Sequence, residues 1–431
     1  MNKPVGVGLI GLGTVGSGVV QLLRDAPSSM RRREHVDFTL ERVAVGNPEK
    51  NRAVNIDQSV LTGDALEVVG NPAVGMVVEV SGAACAYEWI RAALEQGKDV
   101  VTANKAVLAR HGEELFGLAL DKGADLMFEA SVAGGIPIIR SLRNGLVANQ
   151  VESLYGILNG TTNYILTQMS RGVGDYADIL KEAQAKGYAE SDPTMDVSGM
   201  DAAQKLTLIC RIAFHSTCKA EDIFCEGIEK IESRDIEYAR ELGFTIKLLA
   251  IAKRSGEKVE ARVHPVMVPA DCLLANIHDE FNAIEVVGSA VGTQVFYGRG
   301  AGQMPTASAV VSDMVELAER KSSGAGSAIG DMILGEEATC IAAVQGVEIR
   351  YYLRLQVKDQ PGVLEQIAHI LAQEQISIAS VIQKERDLKG GSVPLVIVSH
   401  EARERAMQEA VATMNRLECV EEVHLIRMEE L

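Results

Sequence analysis

At 431 residues, 47% apolar and 23% charged, the chain has the length and composition of a globular protein with two or three full-sized cores. A net charge of −17 and 4% aromatic residues argue against nucleic acid or an anionic membrane as partner, since both need basic patches. No apolar run approaches the roughly 20 residues of a membrane span. The N-terminus passes into a strand pattern without a signal-peptide core. Seven scattered cysteines, none in a Cys-x-x-Cys pair, fit the reduced thiols of a cytoplasmic protein, and the eight histidines show no zinc-ligand spacing.

Residues 4–10 read as a buried strand. Two frames match G-x-G-x-x-G, Gly6-Gly8-Gly11 inside that strand and Gly11-Gly13-Gly16 at its end. The second opens a helix carrying Val15, Val19, Leu22 and Leu23, which is the context of a dinucleotide site: the glycines of Gly11-Leu12-Gly13-Thr14-Val15-Gly16 allow a tight turn and bring the pyrophosphate to the helix N-terminus. Alternating elements follow, with strands expected at Arg42–Val45, Met76–Val80, Asp99–Thr102 and Asp125–Glu129 and helices at Ala86–Gln96 and Val107–Lys122. That alternation predicts a doubly wound parallel sheet. Gly46-Asn47 stands where an NAD-selecting acid would follow the second strand, and Lys50 and Arg52 close behind could meet a 2′-phosphate, which leans to NADP over NAD.

Ligands in such sheets bind beyond the carboxyl ends of the strands. Two strand-end loops therefore stand out: Val80-Ser81-Gly82, and Thr102-Ala103-Asn104-Lys105, where a lysine sits at the mouth of the sheet. Glu129–Pro137 then leaves the last strand through an irregular glycine-containing segment, whose carbonyls could turn toward a hard cation or simply form a hinge. From 136 to about 303 the pattern changes to long strands (Val151–Leu158, Phe244–Ala252, Val259–Val268, Ala283–Val291) among helices, a second domain.

Within it lies the most informative stretch, Gly187 to Lys205. A loop carrying Glu190, Asp192 and Asp196 runs past Pro193 into a helix on which Asp201 and Lys205 are four apart and share one face. Four carboxylates and an ammonium exceed what capping needs, although an i,i+4 ion pair on a solvated face is the plain alternative. Gly298–Gly302 precedes a helix, about 304–320, that returns to the first domain. The segment 321–349 begins as a small, polar linker, and 329–347 has no clear period. The remainder, 350–431, reads β-α-β-β-α-β, the ferredoxin-like order, from Tyr351–Val357, Pro361–Gln373, Ile376–Gln383, Val393–Val398, Ala402–Met414 and Val420–Ile426.

With GLGTVG, TANK, EASVAGGIP and GYAESDPTMDVSGMDAAQK in this order, residues 4 to 320 resemble homoserine dehydrogenases, and the C-terminal module, with DQPGVL at its first helix, resembles an ACT domain. The resemblance implies an NAD(P)-binding Rossmann-type domain over 1–135, a substrate-binding α+β catalytic and oligomerisation domain over 136–303, and an ACT module over 350–431. It implies interconversion of L-homoserine and L-aspartate 4-semialdehyde, with Lys205 as the proton-transferring group and Lys105 as a second active-site lysine beside the nicotinamide. Glu190, Asp196 and Asp201 take the substrate, Asp201 also being counted with the catalytic lysines. Gly11, Gly13, Thr14, Val15, Gly16, Ser81, Thr102, Lys105 and Gly302 take the cofactor. Glu129, Val132, Gly134 and Ile136 match a loop that holds Na⁺ or K⁺, mostly through backbone oxygens. The same resemblance implies an amino-acid effector such as L-threonine and a homodimer or homotetramer in which ACT modules pair across subunits.

The implied chemistry agrees with the residues. The substrate carries an ammonium, suited to carboxylates, and a hydroxyl that loses a proton and a hydride, which needs a base. A dehydrogenase working through a thiohemiacetal would need an activated cysteine beside a histidine, and Cys85 comes nearest without one. An amino-acid sensor on an inactive dehydrogenase body is opposed by the retention of both Lys105 and Lys205.

Overall fold

A computed structural model describes residues 4–25, 37–50, 52, 54–330, 338–384 and 391–431. The chain divides into two compact units, one of Met1–Gly160, Asp201–Ile223 and Phe281–Cys340, the other of Thr161–Met200, Phe224–Glu280 and Ile341–Leu431. Both units interleave in sequence. The 136–303 segment expected as one domain is shared between them.

In the first unit, strands β1 (Val5–Ile10), β2 (Phe38–Ala44), β3 (Leu61–Thr62), β4 (Met76–Glu79), β5 (Asp99–Thr102) and β6 (Leu126–Met127) form a sheet in the order β3-β2-β1-β4-β5-β6. Every pairing is parallel, which is the doubly wound order expected of a Rossmann-type domain. Strands covered on both faces should read as continuous apolar runs, and Met76, Val77, Val78, Val100 and Val101 are all buried. The helix Gln303–Ser323 returns to this sheet and packs on the helix Thr14–Arg24. Contact is close because Gly18 lacks a side chain: a Cβ there would lie 2.8 Å from that of Ala307. Val19, Val20, Val310 and Met314 are buried in the same core as β1; burying one such side chain stabilises by about 1.5–3 kcal/mol.

The same unit holds an antiparallel trio: β7 (Val151–Ile157), and beyond it in sequence β11 (Phe281–Gly288) and β12 (Gly292–Arg299). One strand was expected over Ala283–Val291. The structure instead turns at Gly292 (φ +71°) and sends β12 back along β11. Most of β12 is exposed, so it carries no apolar alternation from which a sequence reading could find it.

In the second unit, β8 (Phe224–Cys225), β9 (Phe244–Ser255) and β10 (Lys258–Pro269) build the substrate-domain sheet, with β9 and β10 antiparallel over their full lengths. The C-terminal module adds β13 (Glu348–Lys358), β14 (Ile378–Ile382), β15 (Ser392–Ser399), β16 (Ala402–Arg403) and β17 (Val420–Met428). Its strands run β17-β13-β15-β14, and the helices Val363–Gln373 and Glu404–Met414 cover one face around Tyr351, Leu353, Leu355, Ile367 and Met407. The expected helix from Ala402 begins two residues later, because Ala402 and Arg403 first pair with β13.

The resemblance implies ACT modules that pair across subunits, yet the other face of this sheet is already covered within the same unit. Alternation along β13 turns Tyr352 and Arg354 to that face, and both are buried against the helix Ser233–Glu241 of the same unit. β17 also pairs in parallel with β10 through Val266–Arg427 and Met267–Met428. The module is thus one continuous sheet with the substrate-domain strands. No helix among the described residues is long and apolar enough to cross a membrane.

Candidate active site

The glycine frame lies at the end of β1, where Gly11 donates its N–H to the Ala44 carbonyl at 3.0 Å and adopts φ +100°. A side chain on Gly11 would strike the Ser81 backbone at 2.7 Å, and one on Gly16 would strike the Gly11 carbonyl at 2.1 Å. Gly13 differs, since a Cβ there would meet nothing within 4 Å. It caps the helix Thr14–Arg24 without a side-chain hydrogen bond, and the first turn has no acid. A helix N-terminus leaves its first N–H groups without helical partners, and one with neither a side-chain cap nor an acid in its first turn suits a phosphate. These residues fit a dinucleotide.

Beyond β2, the Asn47 side chain accepts the Glu49 N–H at 2.9 Å. The Arg52 guanidinium is turned onto the carbonyls of Asn47, Pro48 and Lys50 in its own loop, so of the two cations expected to meet a 2′-phosphate only Lys50 is exposed.

Two further strand ends follow in the sheet order beside β1. Ser81 follows β4, and Thr102 ends β5. The expected helix start at Val107 moves forward, because Asn104 is the N-cap, its side chain accepting the Val107 N–H at 3.2 Å. Lys105 is thus the first residue of the helix Lys105–Lys122, not a loop residue.

On the helix Met200–Phe214, Asp201 and Lys205 lie one turn apart, as their spacing predicts. Lys205 Nζ is 2.7 Å from Asp201 Oδ2 and donates to the Leu158 carbonyl at 2.7 Å. Lys105 Nζ is 3.0 Å from Asp201 Oδ1, and Asn159 Nδ2 donates to Oδ2 at 2.9 Å. Burial on its own would raise the Asp201 pKa; the Lys205 and Lys105 charges, with the hydrogen bonds from Lys205 and Asn159, outweigh it and hold the group well below the usual carboxylate range. One anion therefore serves two cations. Lys205 keeps 12% of its side chain exposed and Lys105 33%, so the surplus positive charge opens outward at Lys105.

Asn159 was absent from the sequence reading. The only signal for it is an Asn-Gly pair that begins two residues after the strand Val151–Ile157, and a turn explains that pair equally well.

Glu190 and Asp196 belong to the second unit. Glu190 is exposed, and its carbonyl accepts from Gln184 at 3.0 Å. Asp192, by contrast, is a local capping residue, accepting the hydroxyl of Thr194 at 2.6 Å and its N–H at 3.1 Å. Asp196 lies in the first turn of Thr194–Val197. The loop end is pinned by Ile228, whose N–H meets the Val197 carbonyl at 2.9 Å.

The segment 129–136 is irregular, as read. Ala133 and Gly134 are both left-handed (φ +53° and +52°), and a Cβ on Gly134 would meet the Gly300 carbonyl at 2.4 Å, so this loop lies against the residues leading to Gly302. Glu129 is engaged within the loop itself. Both its carboxylate oxygens accept backbone N–H groups, from Ile139 and Arg140 at 2.8 Å, and its carbonyl accepts that of Val132. The Ile136 carbonyl likewise accepts the Ile138 N–H at 2.8 Å, whereas Val132 and Gly134 enter as backbone only. Burial raises the Glu129 pKa against the pull of those N–H groups, and buried Asp313 beside it is pushed up to about 8 by burial and by the Glu129 charge.

Comparison with known proteins agrees with this architecture. Residues 137–315 match the family model for homoserine dehydrogenase, 11–129 that for the homoserine dehydrogenase NAD binding domain, and 351–418 that for the ACT domain. The chain is 42% identical to a homoserine dehydrogenase of Pseudomonas aeruginosa, with 100% of each chain covered, and 42% identical to one of Neisseria gonorrhoeae, covering 100% of this chain and 99% of that one. Among solved structures, a homoserine dehydrogenase from Thiobacillus denitrificans aligns over 99% of both chains with a TM-score of 0.92 at 41% identity. A hyperthermophilic archaeal homoserine dehydrogenase, described in complex with NADPH, aligns over 73% of this chain and 98% of its own with a TM-score of 0.62 at 25% identity. Full-length identity and a doubly wound sheet with two lysines on one aspartate lead to one conclusion: the chain belongs to the homoserine dehydrogenase family and carries a C-terminal ACT domain.

Proposed function

We propose that this enzyme interconverts L-homoserine and L-aspartate 4-semialdehyde with NADP in preference to NAD, at the Lys105–Asp201–Lys205 cluster. The carrying observation is a single buried carboxylate with ammonium groups at 3.0 and 2.7 Å from its two oxygens. Oxidising homoserine removes a proton from the hydroxyl and a hydride from the carbon that bears it. Lys205, held from two sides by Asp201 and the Leu158 carbonyl, moves the proton. Lys105 stabilises the negative charge that develops on the same oxygen, in a site where pre-aimed charge acts more strongly than in water. The nicotinamide, when bound, accepts the hydride or returns it in the reverse direction.

Glu190 and Asp196 take the substrate ammonium. The N-terminus of Thr14–Arg24, with Gly11, Gly13 and Gly16, takes the cofactor pyrophosphate, and Ser81, Thr102, Lys105 and Gly302 frame its nicotinamide end. Support for NADP comes from Asn47 in the place of an NAD-selecting acid, from exposed Lys50, and from the archaeal relative described with NADPH. Na⁺ or K⁺ at 129–136 would rest on the Val132 and Gly134 carbonyls and the remaining lone pairs of Glu129 and Ile136, and would brace the loop without touching the hydride. The ACT domain takes an amino acid, for which L-threonine is the candidate, by the turn at Asp359–Leu364, and the enzyme works as a homodimer or homotetramer in the cytoplasm.

Homoserine-dependent reduction of NADP, run beside NAD with and without threonine, tests this reading. Reduction should be faster with NADP and slowed by threonine. No reduction with either cofactor overturns the reaction, and equal rates in a tetramethylammonium buffer at constant ionic strength remove the cation.

A further inference from the structure

Glu79 ends β4 behind three buried apolar residues and is itself 0% exposed. No cation among the described residues forms an ion pair with it. A buried carboxylate without a counter-ion is strongly disfavoured unless hydrogen bonds replace its hydration. Here they come from two loops at once. Oε1 accepts the Ser81 N–H at 2.8 Å and its hydroxyl at 2.6 Å, and Oε2 accepts the Thr102 hydroxyl at 2.8 Å.

The two loops also close on each other. The Ser81 hydroxyl oxygen accepts the Ala83 N–H at 3.1 Å, and the Ala83 carbonyl accepts from Asn104 Nδ2 at 3.1 Å. The Asn104 N–H in turn donates to the Thr102 hydroxyl oxygen at 3.0 Å. The result is a ring: Glu79, Ser81, Ala83, Asn104, Thr102 and back to Glu79. Each hydroxyl accepts from a backbone N–H and so aims its own proton at Glu79. A carboxylate, with an acceptor oxygen on either side, closes the ring. Asn104 is also the N-cap of the helix that begins with Lys105.

We propose that Glu79 is a positioning residue, which locks the Ser81–Ala83 loop and the start of the Lys105 helix into one unit and so fixes Lys105 Nζ over Asp201. This rests on the assignment of Lys105, Asp201 and Lys205 as the reacting cluster. Burial alone would be served by leucine or glutamine; a positioning role would not. In Glu79→Gln the amide nitrogen replaces one acceptor, so either the Ser81 donors lose theirs or the Thr102 hydroxyl must reverse its bond, and the ring is weakened. Misplacement of a reacting group by about 1 Å reduces turnover by roughly 10²-fold.

The test combines hydrogen exchange with kinetics on the full-length enzyme. In Glu79→Gln without cofactor, the amides of Ser81, Ala83, Asn104 and Val107 should exchange at least about tenfold faster than in wild type, with the melting temperature little changed. Its kcat should fall by roughly 10–10²-fold while KM for homoserine stays within about threefold. Thr102→Val, the second variant should Glu79→Gln fold poorly, opens the same ring and should show the same two signatures. The pair Glu79→Gln/Thr102→Val should be no worse than the worse single change, because both break one network. Unchanged exchange and kcat in either variant, or additive losses in the pair, overturn the proposal. Lys105→Met in the same assays separates the two layers: wild-type kcat there refutes the cluster assignment, whatever the exchange data say of Glu79.

Discussion

At Asp201 one buried carboxylate holds two ammonium groups, and one of them, Lys105, keeps a third of its side chain open. In the C-terminal module and the strands it joins, the arrangement is reversed. Arg354, Arg427 and Arg262 are at most 3% exposed, and each meets at least two carboxylates: Asp235 and Glu232, Glu404 and Glu226, Glu429 and Glu260. The first cluster has a surplus of positive charge with an open side, which a reaction can use where negative charge develops. The second is closed and over-neutralised, and it serves as a clamp. Arg354 comes from β13 and Asp235 from the substrate-domain helix Ser233–Glu241; Arg427 and Glu429, at the end of β17, reach Glu226, Arg262 and Lys253. The ACT module is therefore fastened by buried ion pairs as well as by backbone pairing. Removing it would take Glu429 from Arg262 and Lys253, and Tyr352 and Arg354 from Asp235, so the module is not a detachable accessory.

Breaking the clamp should have the largest effect on stability. Asp235→Ala leaves the buried Arg354 guanidinium with only the half-exposed Glu232 as its partner and takes the acceptor from the Tyr352 hydroxyl, and removing one partner of a buried pair costs about 3–5 kcal/mol. Urea unfolding should show that loss, while kcat of the folded fraction stays near wild type. A parallel collapse of kcat with stability unchanged would mean that the two clusters do not divide in this way. Breaking the open cluster should do the converse. Lys105→Met should lower kcat by roughly 10²–10³-fold, the size of effect seen when one charge-stabilising donor is lost, at a melting temperature within a few degrees of wild type.

Asp201 sharpens the contrast through pH. Its folded pKa lies below the unfolded value of about 3.9. Between the two the unfolded chain binds more protons, so the stability it contributes is present above about pH 4–5 and is lost as the pH falls. Asp201→Asn cannot titrate, and the stability difference between wild type and this variant should shrink from pH 5 downward in urea titrations. A difference that stays constant would show that Asp201 is not held ionised by the lysines. The smallest effect is expected at Glu190, which is exposed. Glu190→Ala should raise KM for homoserine about tenfold, the worth of one hydrogen bond to a charged group, with kcat within about twofold. Early melting at an unchanged KM would make Glu190 structural.

What could be read without coordinates follows from how far each interaction reaches along the chain. Asp201 and Lys205 were legible because helical geometry converts a spacing of four into a shared face, and the glycine frame because strand, turn and helix are contiguous. Lys105 was legible only as a lysine at a strand end; that it meets Asp201 depends on how distant elements pack. Asn159, Glu79 and the pairing of Arg354 with Asp235 left no local trace, since an asparagine after a strand, an acid ending one, or an arginine within one each has an ordinary local explanation. Strand β12 was missed because its exposed residues lack periodicity, and the covered face of the ACT sheet because alternation shows that a face exists and not what lies against it.

The central claim is that Lys205 moves the proton, and rapid mixing tests it most directly. Lys205→Met, with NADPH bound beforehand, is mixed with L-aspartate 4-semialdehyde while NADPH absorbance is followed through a single turnover. NADPH should bind with near wild-type affinity, and its oxidation should slow by roughly 10²–10⁴-fold, the contribution of a positioned acid–base group. Oxidation within a few-fold of wild type would contradict the account.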